Sequence, residues 1–207
     1  VMRELRILRV LLDWARDDLG CELKSNPARA LKVRGTSDAR IPYLTPKQEQ
    51  QLLHQLAQSS NPHHLRLTQL ALATGMRRSE LLAIHWGDLD LNKGLIRLSR
   101  KDCATKGLRT SQRLIPLSPK AIELLTKAAK DTSKVINLSP GAARHGFDRA
   151  KKAVGLFCLH FHDLRHIAIS RMWSQGMNAI EISNASGHKD LRMLLRYSHY
   201  GVGYGGS

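Results

Sequence analysis

Acidic residues are scarce in this chain: 17 Asp and Glu stand against 33 Lys and Arg, a formal net charge of +16 over 207 residues. So lopsided a balance disfavours a basic or neutral partner and favours a polyanion, with nucleic acid first. Cysteine is scarce too. Cys21, Cys103 and Cys158 are odd in number, far apart and never spaced Cys-x-x-Cys, which excludes a disulfide framework and a zinc knuckle. Long apolar runs are missing, as are a signal-peptide pattern and a lipidation signal, so no membrane partner is expected. Ten histidines invite a metal reading, above all His160, His162 and His166. Arg165 among them would repel a cation, and no carboxylate pair or thiolate completes a ligand set. No metal or other cofactor is expected.

What is present is 42% hydrophobic content, enough for one good-sized core without covalent staples. Residues 1–20 space Leu5, Leu8, Leu11, Leu12, Ala15 and Leu19 as an amphipathic helix ended by Gly20. Ser25-Asn-Pro-Ala then stops regular structure, and the basic stretch 32–41, with Gly35, Thr36 and Ser37, reads as a linker. One helix cannot bury its own apolar face, so residues 1–31 read as a partial N-terminal helical region.

From Pro42 the helix starts are marked by Thr45-Pro46, Ser60-Asn-Pro62, Ser118-Pro119 and Ser139-Pro140. Each offers a side-chain cap followed by proline, which predicts helices near 46–58, 62–74, 119–131 and 140–154. Ser79–Trp86 opens a further short helix after Gly75. Leu89 and Leu91, Leu95–Leu98 and Leu114–Leu117, with Asn92-Lys-Gly94 as a turn, predict a small antiparallel sheet inside a helical domain. Helices resume near 162–175, 179–185 and 190–198, and the four glycines of the 201–207 tail oppose another.

Chemistry concentrates in the last quarter: His162-Asp-Leu-Arg165-His166, then Gly187-His188, then Tyr197 nine residues after that histidine. A phenol whose pKa is about 10 attacks poorly at neutral pH unless cations and a base surround it. His162 and Arg165 share a helix face at their i, i+3 spacing. The guanidinium can grip two phosphate oxygens while the imidazole donates to one or moves a proton. Equally, Arg165 could pair with Asp163 on the surface. Thr74-Gly75-Met76-Arg77-Arg78-Ser79-Glu80-Leu81 is a helix end, a tight turn and a new helix start. Such a junction aims a second guanidinium, from Arg77 or from Arg78.

Taken together, Thr-Gly-x-Arg-x-Ser-Glu-Leu, His-Asp-Leu-Arg-His, Gly-His and the Tyr197-x-His199 that follows resemble the tyrosine recombinases, the phage-integrase family, over residues 42 to about 200. HDLRHIAISRM and SGHKDLRMLLRYSHY are most similar to integrases of proteobacterial phages and conjugative plasmids, shufflon recombinases included. The resemblance implies an α+β, mainly helical catalytic domain (42–200) with a small three-stranded antiparallel sheet, after a partial core-binding region. Its catalytic set would be Arg77, Lys106, His162, Arg165, His188 and the nucleophile Tyr197. The stretch from Lys106 to Pro116 is longer than in close relatives, which keeps Lys101 open as the general acid. Leu194 stands where the family commonly has a threonine-like residue. DNA contacts are expected from Arg78, Arg113, Lys189 and Arg192.

The implied reaction cleaves and rejoins DNA through a 3′-phosphotyrosine, for integration, excision or inversion, without ATP or metal. The implied partners are double-stranded DNA recombination sites, a synaptic homo-tetramer and an accessory DNA-bending protein, in a bacterial cytoplasm. A DNA-binding regulator that keeps the fold without the activity, and a type IB topoisomerase, are the alternatives. A helix-turn-helix regulator lacks a separate recognition helix.

Overall fold

The computed structural model describes residues 2–31, 42–100, 111–128, 132–188, 190–195 and 197. Its contacts divide the chain into two compact units, Val1–Ile41 and Pro42–Ser207. In the first, α1 (Met2–Asp17) ends three residues before Gly20, whose left-handed backbone (φ +65°) lets the Cys21 amide reach back to the Ala15 carbonyl. Ser25-Asn-Pro-Ala does not end regular structure as expected. Asn26 caps a one-turn helix, α2 (Pro27–Ala30), because its buried amide is held on both sides. Its Oδ1 accepts from the Ala28 N–H, and its Nδ2 donates to the Arg9 carbonyl and to Asp13.

The second unit starts where hydroxyl and proline meet. Thr45 caps α3 (Pro46–Ala57) in a reciprocal box with Gln48. The Asn61 side chain accepts from the His63 N–H at the start of α4 (His63–Thr74). A single turn follows as α5 (Arg78–Leu81). Expected to run to Trp86, this helix stops early because its continuation is drawn into long-range pairing: Val135 donates to the Ile84 carbonyl and Trp86 to that of Ser133.

Strands β1 (Leu89–Asp90), β2 (Leu95–Arg100) and β3 (Ser111–Pro116) form an antiparallel sheet in the order β1-β2-β3. The register pairs Ile96 with Ile115 and Leu98 with Arg113, so Arg113 lies on the face that Ile96 and Ile115 bury. Ser118 caps α6 (Pro119–Thr126) and Ser139 caps α7 (Pro140–Ala153). α6 is shorter than the sequence predicts, closing with Lys127 and Ala128 bonded back to Glu123 and Leu125. Then come α8 (Asp163–Ser174), α9 (Ala179–Ser186) and the single turn α10 (Arg192–Leu195), where a helix over 190–198 was expected.

Helix α4 is the hub: it packs against α3, α6, α7 and α8, and its residues are buried nearly all round, as a helix enclosed by others must be. The main core joins Leu52, Leu56, Leu67, Leu70, Leu81, Ile96, Ile115, Leu125, Phe147 and Leu164. Each such side chain stabilises the fold by about 1.5–3 kcal/mol relative to exposure. A second cluster gathers Ile169, Met172, Ile182, Ala185, Leu194 and Tyr197. Helix α8 belongs to both, through Leu164 and Ile167 on one side and Ile169 and Met172 on the other.

Close approach of α4 and α7 depends on Gly146. Buried His64 donates from Nε2 to the Ala142 carbonyl at 3.2 Å, and a Cβ on Gly146 would stand 2.3 Å from that ring. Gly146→Ala should therefore lower stability by about 1–3 kcal/mol, the usual cost of overpacking. Gly141→Ala on the same helix, where a Cβ meets only Ser139 Oγ at 3.9 Å, should be neutral or stabilising. Urea denaturation of the two variants checks this, and equal midpoints would refute it.

Candidate active site

The site grows from two helix ends. Gly75 closes α4 and Gly187 closes α9, each in the left-handed conformation (φ +64° and +74°) that a side chain disfavours. A Cβ on Gly75 would lie 3.5 Å from Ala168, so the end of α4 rests directly on α8. These ends present the carbonyls of Gly75, Ser186 and Gly187 to the arginines.

Arg165, on α8 and only 4% exposed, reaches both ends. Its Nη1 donates to the Gly75 and Ser186 carbonyls, each at 2.6 Å, and its Nη2 lies 3.2–3.3 Å from the two ring nitrogens of His188. Surface pairing with Asp163 does not occur; Asp163 instead holds the His160 N–H and ring. Burial, with Arg77 and Arg113 nearby, pulls the Arg165 pKa down to about 10 against the opposing pull of Glu80 and Tyr197. It stays charged at neutral pH. With both Nη1 hydrogens committed, the Nη2 and Nε edge is the one that can meet an oxyanion.

Arg77 caps α5 and donates from Nη1 and Nη2 to the Gly187 carbonyl at 3.3 and 3.4 Å. Glu80 orients it twice, accepting from the Arg77 N–H at 3.0 Å and from Nη1 at 3.1 Å. The same carboxylate receives Arg113 at 3.4 and 3.5 Å. Arg113 lies so close beneath Gly187 that a Cβ there would fall 1.5 Å from its Nη1. Its guanidinium is thus held on Glu80, the carboxylate it shares with Arg77.

His162 precedes α8 and, with Arg165, Met76, Arg78, Arg144, Phe147, Lys151, His160 and Phe161, lines a cleft of about 580 Å³. Burial, then the Arg165 charge, keeps its imidazole pKa below the usual range, with Asp163 opposing and Arg77 adding to the shift. Arg78 lies over the Phe161 ring, 5.9 Å from its centroid. One turn along α8, His166 meets His162 edge-on, with ring centroids 4.9 Å apart, and stacks on Tyr197. The Tyr197 hydroxyl is hydrogen-bonded to His166 Nδ1. At 2% exposure the phenol lies in the second apolar cluster rather than open to the cleft.

The structure therefore brings Arg77, Arg165 and His188 together and places His162 in the cleft that Arg165 also lines. Lys106, Lys101 and Lys189 lie outside the described residues. Arg192 is exposed and paired with Asp190. Sequence reasoning assigned no role to Glu80, His166, Ser186 or Gly187. Glu80 had a readable signal, since a carboxylate at the third position of a helix reaches back to the cap. Ser186 had none, because its partner is set by how α9 ends. Among the described residues no group of three or more His, Cys, Asp or Glu could hold a metal, and no helix is long and apolar enough to cross a membrane.

The phage integrase family model matches residues 42–202, and the chain belongs to that family. It is 32% identical over 201 residues to a shufflon-specific DNA recombinase of Escherichia coli, covering 96% of this chain and 50% of that relative. The chain thus spans about half the length of that protein. Its fold is that of a lambda integrase dimer bound to a COC′ core site (TM-score 0.71, 22% identity, 98% of this chain and 60% of that one). It is also that of the catalytic domain of bacteriophage HP1 integrase (TM-score 0.61, 22% identity, 79% and 90%). The mainly helical α+β architecture with a three-stranded antiparallel sheet is the tyrosine-recombinase catalytic fold.

Glu80 gives the site an acid sensitivity. Burial raises its pKa, but the Arg77 N–H with the Arg113 and Arg77 charges outweighs burial and holds the carboxyl net below its ordinary value. A depressed carboxylate adds stability above its unfolded pKa and loses it as pH falls through the folded one. Melting temperature should therefore decline as pH drops below about 5. Glu80→Gln keeps the cap but not the charge, so its melting temperature should start lower at neutral pH and decline less. Parallel acid limbs in thermal melts would count against the assignment.

Proposed function

We propose that the chain carries the catalytic part of a site-specific DNA recombinase or integrase, which breaks and rejoins strands through a 3′-phosphotyrosine. One observation carries the reading: Arg165 is a buried cation held by helix-end carbonyls and an imidazole, with no carboxylate within ion-pair distance among the described residues. An uncompensated buried charge is costly unless an anion arrives, and a phosphodiester is the anion a strongly basic protein meets. Family membership and the shufflon recombinase relative support the same class.

In this reading Tyr197 attacks the phosphorus, the bond to the 5′ oxygen breaks, and Lys106 (or Lys101) protonates the departing oxygen. Arg77, Arg165, His162 and His188 bear the charge of the pentacoordinate transition state. His166 is a base already in contact with the phenol. Since that phenol is buried, reaction requires the segment carrying Tyr197 to turn toward the cleft when DNA binds. The bond energy is kept in the covalent link, so a second 5′ hydroxyl can reverse the step without ATP or metal.

Residues 42–200 would be the catalytic domain, following core-binding helical residues (1–31) and a linker (32–41), with a Gly-rich segment at 201–207. Arg78 and Lys189 would contact DNA, the partners being recombination sites, a synaptic homo-tetramer and an accessory bending protein in a bacterial cytoplasm. Tyr197→Phe should bind duplex DNA as the wild type does but form no covalent adduct on a nicked suicide duplex, read on a denaturing gel. Adduct from the phenylalanine variant would remove Tyr197 from this role. Cleavage lost in EDTA and restored by magnesium would point to a metal-dependent nuclease.

A further inference from the structure

Ser186 ends α9 and is fully buried one turn from the arginines. Its hydroxyl has one proton and two neighbours. Ser186 Oγ lies 2.5 Å from the Ile182 carbonyl oxygen and 2.8 Å from His188 Nδ1. A carbonyl oxygen only accepts, so the hydroxyl proton is committed to Ile182. Toward His188 the same oxygen can then only accept, which requires Nδ1 to carry hydrogen.

Arg165 Nη2 stands 3.2 Å from Nδ1 and 3.3 Å from Nε2, so that contact does not choose between the tautomers, and the choice is made by Ser186. A third contact fixes the residue's backbone, as the Ser183 hydroxyl donates to the His188 carbonyl at 2.7 Å. The polarity runs from His188 Nδ1–H through Ser186 to the Ile182 carbonyl, and it is anchored by the helix backbone.

We propose that Ser186 is a positioning residue that fixes His188 in its Nδ1-protonated tautomer, so that neutral His188 offers the site an acceptor at Nε2 and not a second donor. This deepens the recombinase reading and rests on it for its catalytic meaning. With Nδ1–H directed to Ser186, the ring becomes a donor to a phosphate oxygen at Nε2 only by gaining a proton. An apolar residue in place of Ser186 would remove the acceptor for Nδ1–H and let the ring adopt the opposite tautomer.

The test reads the tautomer directly, by nitrogen NMR of protein with ¹⁵N-labelled histidine and no DNA, the His188 signals being assigned by their loss in His188→Gln. The wild type should show protonated Nδ1 and bare Nε2 at a pH where the ring is neutral. Ser186→Ala should move His188 toward a mixture or the opposite tautomer, with the fold intact by circular dichroism. Its covalent cleavage rate on saturating suicide substrate should drop by about 10–100-fold, the usual cost of removing an orienting partner, at unchanged DNA affinity. Ser186→Cys, which restores a weak acceptor, should recover part of both. A bare Nδ1 in the wild type overturns the proposal, as does a Ser186→Ala spectrum identical to it. Because the spectra need no substrate, a failed cleavage assay bears on the recombinase reading alone.

Discussion

The interaction on which the site depends is the burial of the Arg165 guanidinium against two helix ends. A buried charge is ordinarily matched by an opposite one, and the pairing is lost at great cost when one partner is missing. Here the compensation is made of dipoles. Carbonyls at the C-termini of α4 and α9 carry the partial negative charge of their helices, and Arg165 Nη1 sits between them at 2.6 Å from each. Dipoles stabilise a cation without cancelling it. The site therefore keeps a net positive field that a carboxylate would have removed.

That arrangement dictates much of the surrounding fold. To bring two helix ends to one side chain, α8 must be buried on two sides, which explains its membership of both apolar clusters. Gly75 must be small and left-handed for α4 to turn away while resting on Ala168. Gly187 is constrained twice, by its backbone and by the Arg113 guanidinium beneath it. Glu80 then divides one negative charge between Arg77 and Arg113, so the three guanidiniums are oriented unequally: Arg113 is tethered, Arg77 is shared with the Gly187 carbonyl, and Arg165 is left to dipoles.

Local chemistry was legible in the sequence and tertiary compensation was not. Thr45, Ser118 and Ser139 mark helix starts because a cap and its partner lie within three residues. The grouping of Arg77, Arg165 and His188 was readable through family resemblance, not through spacing. Where α5 stops depends on residues 133–135, some fifty positions away, and no local signal carries that. Alternation along β3 puts Arg113 on the face of Ile115, so its inward approach to Glu80 was partly readable from the strand pattern.

Tyr197 completes the logic from the other side. Its ring helps to build the second cluster with Ile169, Ile182 and Leu194, and its hydroxyl is satisfied by His166 on the helix that also carries His162 and Arg165. Packing and hydrogen bonding both favour keeping the phenol where it is, while the positive field beside it favours an incoming phosphate. Residues 188–197 connect the two. His188 is bonded to Ser186 and Ser183 at one end of that segment, Tyr197 is docked on α8 at the other, and among the described residues the single turn α10 lies between. A segment so short, pinned at both ends to the same pair of helices, holds the Tyr197 phenol near the cations without presenting it to water.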